Sequence, residues 1–166
     1  IGANVFSDKI LQIDFPNQRL IFSNECHYEN YNLIPIGQSF GRPTIQLSID
    51  SKKYEFLFDT GSCVFEMWTT KSIWKKLKRP KSLIVEKTIW SWGKQLKIHS
   101  TPIENPISLN RCPNIQILTV AFSQHKQQKK SYKGAGIAGI IGVKPFLNEC
   151  IMIDVSKNQF GIMKCK

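Results

Sequence analysis

Residues 44–62 read TIQLSIDSKKYEFLFDTGS, and the pattern in this stretch decides the fold class. Thr44 to Ile49 alternates polar and apolar residues, the period of a strand with one face buried. Asp50-Ser51-Lys52-Lys53 supplies turn chemistry, and Tyr54 to Phe58 returns as a second, more apolar strand that ends at Asp59. The segment is therefore a hairpin that delivers a carboxylate. After Asp59, Gly61 lets the backbone turn tightly and aim an amide at that carboxylate, while Thr60 and Ser62 bring hydroxyls within hydrogen-bonding reach. Asp-Thr-Gly-Ser is also a serviceable turn at the end of any strand, so a catalytic and a purely structural reading both stand on these residues alone.

Outward from this hairpin, strand signals continue. Further strands are expected at 83–90, 94–101, 115–122, 150–155 and 159–164. A short helix is expected over Ser72 to Leu77, capped by Thr69 or Thr70 and stopped by Pro80. The expected fold class is all-β, with one or two short helices. An internal repeat adds to this. IGANVFSDKILQID at 1–14 matches IGVKPFLNECIMID at 141–154, sharing Ile1 with Ile141, Gly2 with Gly142, Phe6 with Phe146, Ile13 with Ile153 and Asp14 with Asp154. With one residue of slippage, Asn17-Gln18 then matches Asn158-Gln159, and each copy ends in an apolar strand. Three divisions follow: 1–24 as the closing element of a preceding, similar lobe, 25–42 as a connector rich in Asn, Tyr, Gly and Pro, and 43–166 as a lobe of its own. The opening Ile1-Gly2-Ala3-Asn4 fits a piece of a longer precursor.

Composition narrows the chemistry. A chain of 166 residues, 42% hydrophobic, can bury one substantial core. No apolar run reaches the roughly 18 residues of a membrane-spanning helix, and membrane association is left open. The net charge of +11 is concentrated at Lys71 to Lys81 and Lys126 to Lys133. It serves either a solvated surface or attraction to an anionic partner. No zinc-knuckle or nucleic-acid module accompanies it, so no nucleic-acid partner is expected. Five cysteines without a C-x-x-C pair argue against a metal site. A hairpin of 150–155 with 159–164 would bring Cys150 near Cys165 and permit a disulfide, with free buried thiols as the equal alternative. Strand-rich architecture and cysteine content point to an extracytoplasmic setting, periplasmic or secreted.

Leu57-Phe58-Asp59-Thr60-Gly61-Ser62 resembles the active-site turn of the pepsin and retropepsin-like aspartic proteases. Ile140-Ile141-Gly142, then Pro145-Phe146-Leu147, then Ile151 to Asp154 is similar to the hydrophobic-hydrophobic-Gly element, short helix and closing hairpin that follow in each lobe of that family. The resemblance covers about residues 43–166 and implies an acid-protease half-barrel lobe. It further implies that Asp59 is one of two carboxylates that activate water. Thr60 would brace the two turns across a lobe interface, and Gly61 and Ser62 would hydrogen-bond the carboxylate. Such hydrolysis needs two carboxylates sharing a proton and no cofactor. Aspartic proteases are the standard illustration of that split titration.

This chain has no second Asp-Thr/Ser-Gly, and Asp14, Asp50 and Asp154 sit in turn or strand-end contexts. The other acid must come from an N-terminal lobe of the same precursor, or from a second copy in a homodimer. The substrate is expected to be an extended peptide or protein. Ile89-Trp90-Ser91-Trp92-Gly93-Lys94 reads as a hairpin tip, with Trp90, Trp92 and Gly93 over the cleft or, equally, as core or interface aromatics. Trp68 and Trp74 read as packing residues. No Cys or Ser nucleophile system is expected around Cys63 or the three histidines. The rival of a different class is a catalytically silent lobe that binds peptides or acts as a scaffold.

Overall fold

A computed structural model describes residues 8–91, 93–110 and 112–164. The chain is mainly β, as the alternating pattern predicts, and its strands form one open twelve-stranded sheet. In sheet order the strands are β2 (Arg19–Ser23), β1 (Ile10–Asp14), β11 (Cys150–Asp154), β12 (Gln159–Met163), β3 (Tyr31–Ser39), β4 (Arg42–Ile49), β5 (Lys52–Phe58), β10 (Gly139–Ile141), β6 (Met67–Thr69), β9 (Cys112–Ser123), β8 (Lys94–Leu109) and β7 (Val85–Ser91). Among the described residues, two α-helices, α1 (Lys71–Leu77) and α2 (Lys126–Gly134), accompany the sheet, with single 3-10 turns at Tyr28–Asn30 and Lys144–Phe146.

The β4–β5 hairpin forms as its sequence dictates, with Leu47 opposite Tyr54 and Ile45 opposite Phe56. Ile45, Leu47 and Ile49 face inward and are buried, as are Phe56, Leu57 and Phe58 at the end of β5. Helix α1 starts where expected, the Thr70 side chain accepting from the Ile73 amide, and it buries Ile73, Trp74 and Leu77. Trp68 and Trp74 are packing residues, as read. Both are buried, and their indole N–H groups have no acceptor among the described residues.

The repeat has a geometric counterpart. β1 pairs antiparallel with β11, and Gln12 lies opposite Met152, its counterpart in the second copy. Ile13 faces Ile151 while Leu11 faces Ile153, so the β1–β2 and β11–β12 hairpins are related by a local two-fold axis through the Gln12–Met152 pair. The slippage expected after Asp14 does not occur. Gln18 (φ 54°) and Asn158 (φ 52°) occupy equivalent left-handed turn positions, and Arg19 and Gln159 begin equivalent strands. The turn geometry keeps the two copies in step where residue identity suggested a shift.

Two further expectations are corrected. Much of the expected connector is the strand β3, which pairs with β12 through Tyr31 to Pro35 and with β4 through Ile36 to Ser39. Pro35 falls where β3 exchanges one partner for the other, a place where a missing amide proton is tolerated. The β11–β12 register also differs from the one that favoured a disulfide. Ile151 faces Ile162 and Asp154 faces Gln159, which sets Met163 and not Cys165 across from Cys150. The cause is the Asp154 side chain, which caps the turn Val155–Asn158 and ends β11 one residue early. Cys150 carries a free thiol, and Cys165 lies outside the described residues. Burial pushes the thiols of Cys26, Cys112 and Cys150 up, so these stay protonated. No helix among the described residues is long and apolar enough to cross a membrane.

Candidate active site

Strand β5 carries Asp59 out of the core. Directly beneath it Phe58 meets Phe146 and Phe160 edge-on, at ring separations of 5.5 and 5.3 Å, and the latter two also touch at 5.5 Å. Each such pair adds roughly 0.5–1.5 kcal/mol beyond burial. The base of the turn is therefore fixed by residues from β5, the Lys144–Phe146 turn and β12, which lie far apart in sequence.

The turn itself is clamped to the end of β10. That strand is inserted between β5, to which it runs parallel, and β6, to which it runs antiparallel. The loop joining β5 to β6 therefore arches over the end of β10. The Asp59 amide donates to the Ile141 carbonyl (3.0 Å), the Val143 amide to the Ser62 carbonyl (3.1 Å), and the Gly142 amide to the Glu66 carbonyl (3.0 Å). Only glycine fits at 142, because a Cβ there would lie 2.1 Å from the Ser62 carbonyl oxygen and 2.5 Å from that of Phe65. Glu66 adds a tie that no local pattern announces: its carboxylate accepts from the Leu118 (2.6 Å) and Thr119 (2.9 Å) amides and fastens the loop to β9.

Within the turn, the Gly61 amide donates to Asp59 Oδ1 at 2.9 Å, and the Ser62 amide donates to the Asp59 carbonyl at 3.0 Å. Asp59 is half-buried, Thr60 is exposed and Ser62 is half-buried. The second carboxylate oxygen, Oδ2, has no hydrogen-bond donor among the described residues. One oxygen is thus oriented by its own turn while the other stays available. None of the other described carboxylates hydrogen-bonds to Asp59. Asp50 sits at the β4–β5 turn with Lys76 at 3.4 Å, and Asp14 and Asp154 belong to the two repeated hairpins.

Helix α2, which the sequence reading did not locate, supplies a neighbour. Burial pushes the Tyr132 phenol well above its usual range. The Gln128 amide, donating to its oxygen at 2.7 Å, works against that, and the negative charge of Asp59 adds to it. Tyr132 is therefore a protonated hydroxyl within electrostatic reach of Asp59. Its helix is a lysine-rich segment with no apolar stripe, so periodicity could not reveal it.

The β7–β8 hairpin forms as expected, with Ser91 opposite Lys94 and Gly93 at the tip in the left-handed conformation (φ 70°). Ile89 and Leu96 pack on the cluster of Phe65, Trp68, Ile98 and Ala121, which joins the hairpin to the β5–β6 loop through Phe65. Because successive strand residues face opposite ways, Trp90 points away from that cluster and is 74% exposed. Trp92 lies outside the described residues. Cys63 is an exposed free thiol, and the described residues contain no cluster of His, Cys, Asp and Glu able to hold a metal. The chain matches no protein-family model and no curated protein sequence.

Proposed function

We propose that the chain contributes one half of an aspartic endopeptidase active site, with Asp59 as one of the two carboxylates that activate water for peptide-bond hydrolysis. The observation that carries this reading is the state of Asp59. It ends a strand on a loop clamped at both sides, one oxygen is fixed by the Gly61 amide, and the other is unoccupied. A dyad needs that arrangement, since a shared proton must pass between carboxylates whose orientation does not drift. The insertion of β10 beneath the loop, with Gly142 at its tip, supports an acid-protease lobe over 43–166. Thr60, exposed at the crest, would meet the opposing turn. In the reaction, the ionised carboxylate takes a proton from water, while the protonated partner polarises the scissile carbonyl.

The second carboxylate belongs to another lobe. Residues 1–24 would be the closing element of that lobe, which the two-fold relation of the hairpins favours over a homodimer. In β12, Phe160 is fully buried and Ile162 is 3% exposed, covered by the lobe that β12 closes. Their counterparts in β2, Leu20 and Phe22, are 54% and 45% exposed. A preceding lobe would cover β2 as this one covers β12.

The test is hydrolysis of an unstructured polypeptide from about pH 3 to about pH 8. The expected result is a pH-dependent rate, blocked by a statine-type peptide, whose hydroxyl takes the place of the attacked water. Undiminished hydrolysis by Asp59→Ala would overturn the reading. Saturable peptide binding without turnover by the native assembly would move the protein to the silent, peptide-binding class. Native mass of the active species separates an upstream-lobe partner from a second identical chain.

A further inference from the structure

Between the start of α1, the end of β9 and α2 lies a cavity of about 230 Å³, and one of its wall residues, Tyr132, feels the charge of Asp59. Its size falls below the roughly 300–1,000 Å³ of pockets that hold whole small ligands, and it suits a single side chain. Tyr132 forms part of its wall and links it to the Asp59 turn.

The polar groups of this cavity are one-sided. Lys71, His125 and Tyr132 line it together with neutral hydroxyl and amide side chains, and no carboxylate does. Most of the neutral groups are engaged. The Thr70 hydroxyl caps α1, the Ser123 hydroxyl accepts from the His125 amide (3.1 Å), the Gln124 amide meets His99, and the Gln128 amide donates to Tyr132. Three groups outside the amides present a proton to the cavity with no acceptor among the described residues. They are the Lys71 ammonium, held 5.7 Å over the Phe122 ring, the His125 imidazole and the Tyr132 hydroxyl proton. A partly enclosed site that presents a full positive charge and two further donors, with no carboxylate in its wall, complements an anion.

We infer that this cavity is a specificity pocket for a carboxylate side chain, so that the peptides bound at Asp59 carry Glu or Asp at the position reaching α2. The inference rests on the peptidase reading for the identity of the ligand as a peptide, but not for the charge that the pocket selects. It gives part of the basic surface a definite role. Lys130 and Lys133, exposed elsewhere on α2, act only through long-range attraction.

The experiment uses Asp59→Asn, so that binding is read without cleavage, and two fluorescein-labelled peptides, one alternating Glu and Leu and the other alternating Gln and Leu. Anisotropy titrations at fixed ionic strength are expected to show the Glu peptide binding about tenfold tighter, the scale of one charge-assisted hydrogen bond over a neutral one. Lys71→Ala, and separately Tyr132→Phe, should bring that ratio down towards one, while Lys130→Ala leaves it in place. Equal affinities, no binding of either peptide, or equal losses in Lys71→Ala and Lys130→Ala would each overturn the pocket. The two readings also fail separately. Hydrolysis by the native assembly without acidic preference sinks the pocket alone, and acidic preference without hydrolysis by that assembly sinks the peptidase alone.

Discussion

Three aspartates stand at strand ends of this protein, and the surroundings of Asp59 are the opposite of those of Asp154 and Asp14. At Asp154, Oδ1 accepts from the Ser156 hydroxyl (2.6 Å) and the Lys157 amide (3.0 Å), while Oδ2 accepts from the Tyr28 hydroxyl. Asp14 repeats the scheme, accepting from the Asn17 amide and side chain and from Arg19 at 2.8 Å. At Asp59 a single amide of its own turn suffices, and one oxygen is left over. A carboxylate with both oxygens engaged holds a turn together. One with a free oxygen on an equally rigid turn has capacity for a substrate, a water or a second acid. Strand-end position alone does not separate the two kinds; the hydrogen-bond inventory does.

The largest effect should come from Asp59→Asn. It keeps the shape and the acceptor for Gly61, so the melting temperature should hardly move, while the hydrolytic rate of the native assembly falls by about 10²–10⁴-fold or more. A stability loss comparable to that of the other two aspartates would make Asp59 structural as well. Next comes Gly142→Ala, whose added methyl group runs into the Ser62 and Phe65 carbonyls. Denaturant unfolding should show a loss of about 3 kcal/mol, with any activity lost alongside because the Asp59 turn can no longer close onto β10. A near-neutral result would mean that the clamp is not needed.

Asp154→Ala should cost about 2 kcal/mol, chiefly by leaving the Tyr28 hydroxyl and the turn amide unanswered, without altering catalysis of the native assembly beyond that. Its pH behaviour is distinctive. Burial pushes the Asp154 carboxyl up, but the bonds from Ser156, Tyr28 and the Lys157 amide together hold it below the ordinary value of 3.8. A lowered folded value means that its stabilisation is complete above about pH 4 and disappears as pH falls through the folded value. Thermal melts of the native chain should therefore decline below about pH 4, and Asp154→Asn should flatten part of that decline. The smallest loss of stability is expected for Asp14→Ala, below that of Asp154→Ala in the same unfolding experiment, since its strongest partner, Arg19, is a mostly exposed side chain.

The sequence made the β4–β5 hairpin legible because its signal is local. Alternation from Thr44 to Ile49, turn residues at 50–53 and a denser apolar return strand leave few other conformations. Helix α1 was legible for the same reason, through Thr70 at its start and Pro80 beyond its end. The repeat was legible as matching residues, but its register was not. Residue identity at Asn17-Gln18 suggested a slip, whereas the left-handed positions at Gln18 and Asn158 keep the copies aligned. Besides helix α2, three strands escaped for physical reasons. β6 and β10 are three-residue strands that exist only because neighbours pair with them on both sides. β3 is interrupted by Pro35 and Gly37, residues that read as a connector until β12 and β4 supply partners. Of the site, Asp59 and its turn were visible, whereas Glu66, Tyr132 and the carboxylate-selecting cavity were not, because their neighbours lie up to seventy-three residues away.

By itself, then, the sequence determined the period of the strands, the glycines that turn the chain and the placing of a carboxylate at the end of β5. Those follow from steric and hydrogen-bonding preferences acting within a few residues. Only the tertiary structure decided that β10 slides beneath the Asp59 loop, that the repeated hairpins meet across a local two-fold axis, and that Asp14 and Asp154 are occupied while Asp59 keeps a free oxygen. Long-range pairing and the number of donors reaching each carboxylate depend on which distant segments come together, and no local pattern encodes that.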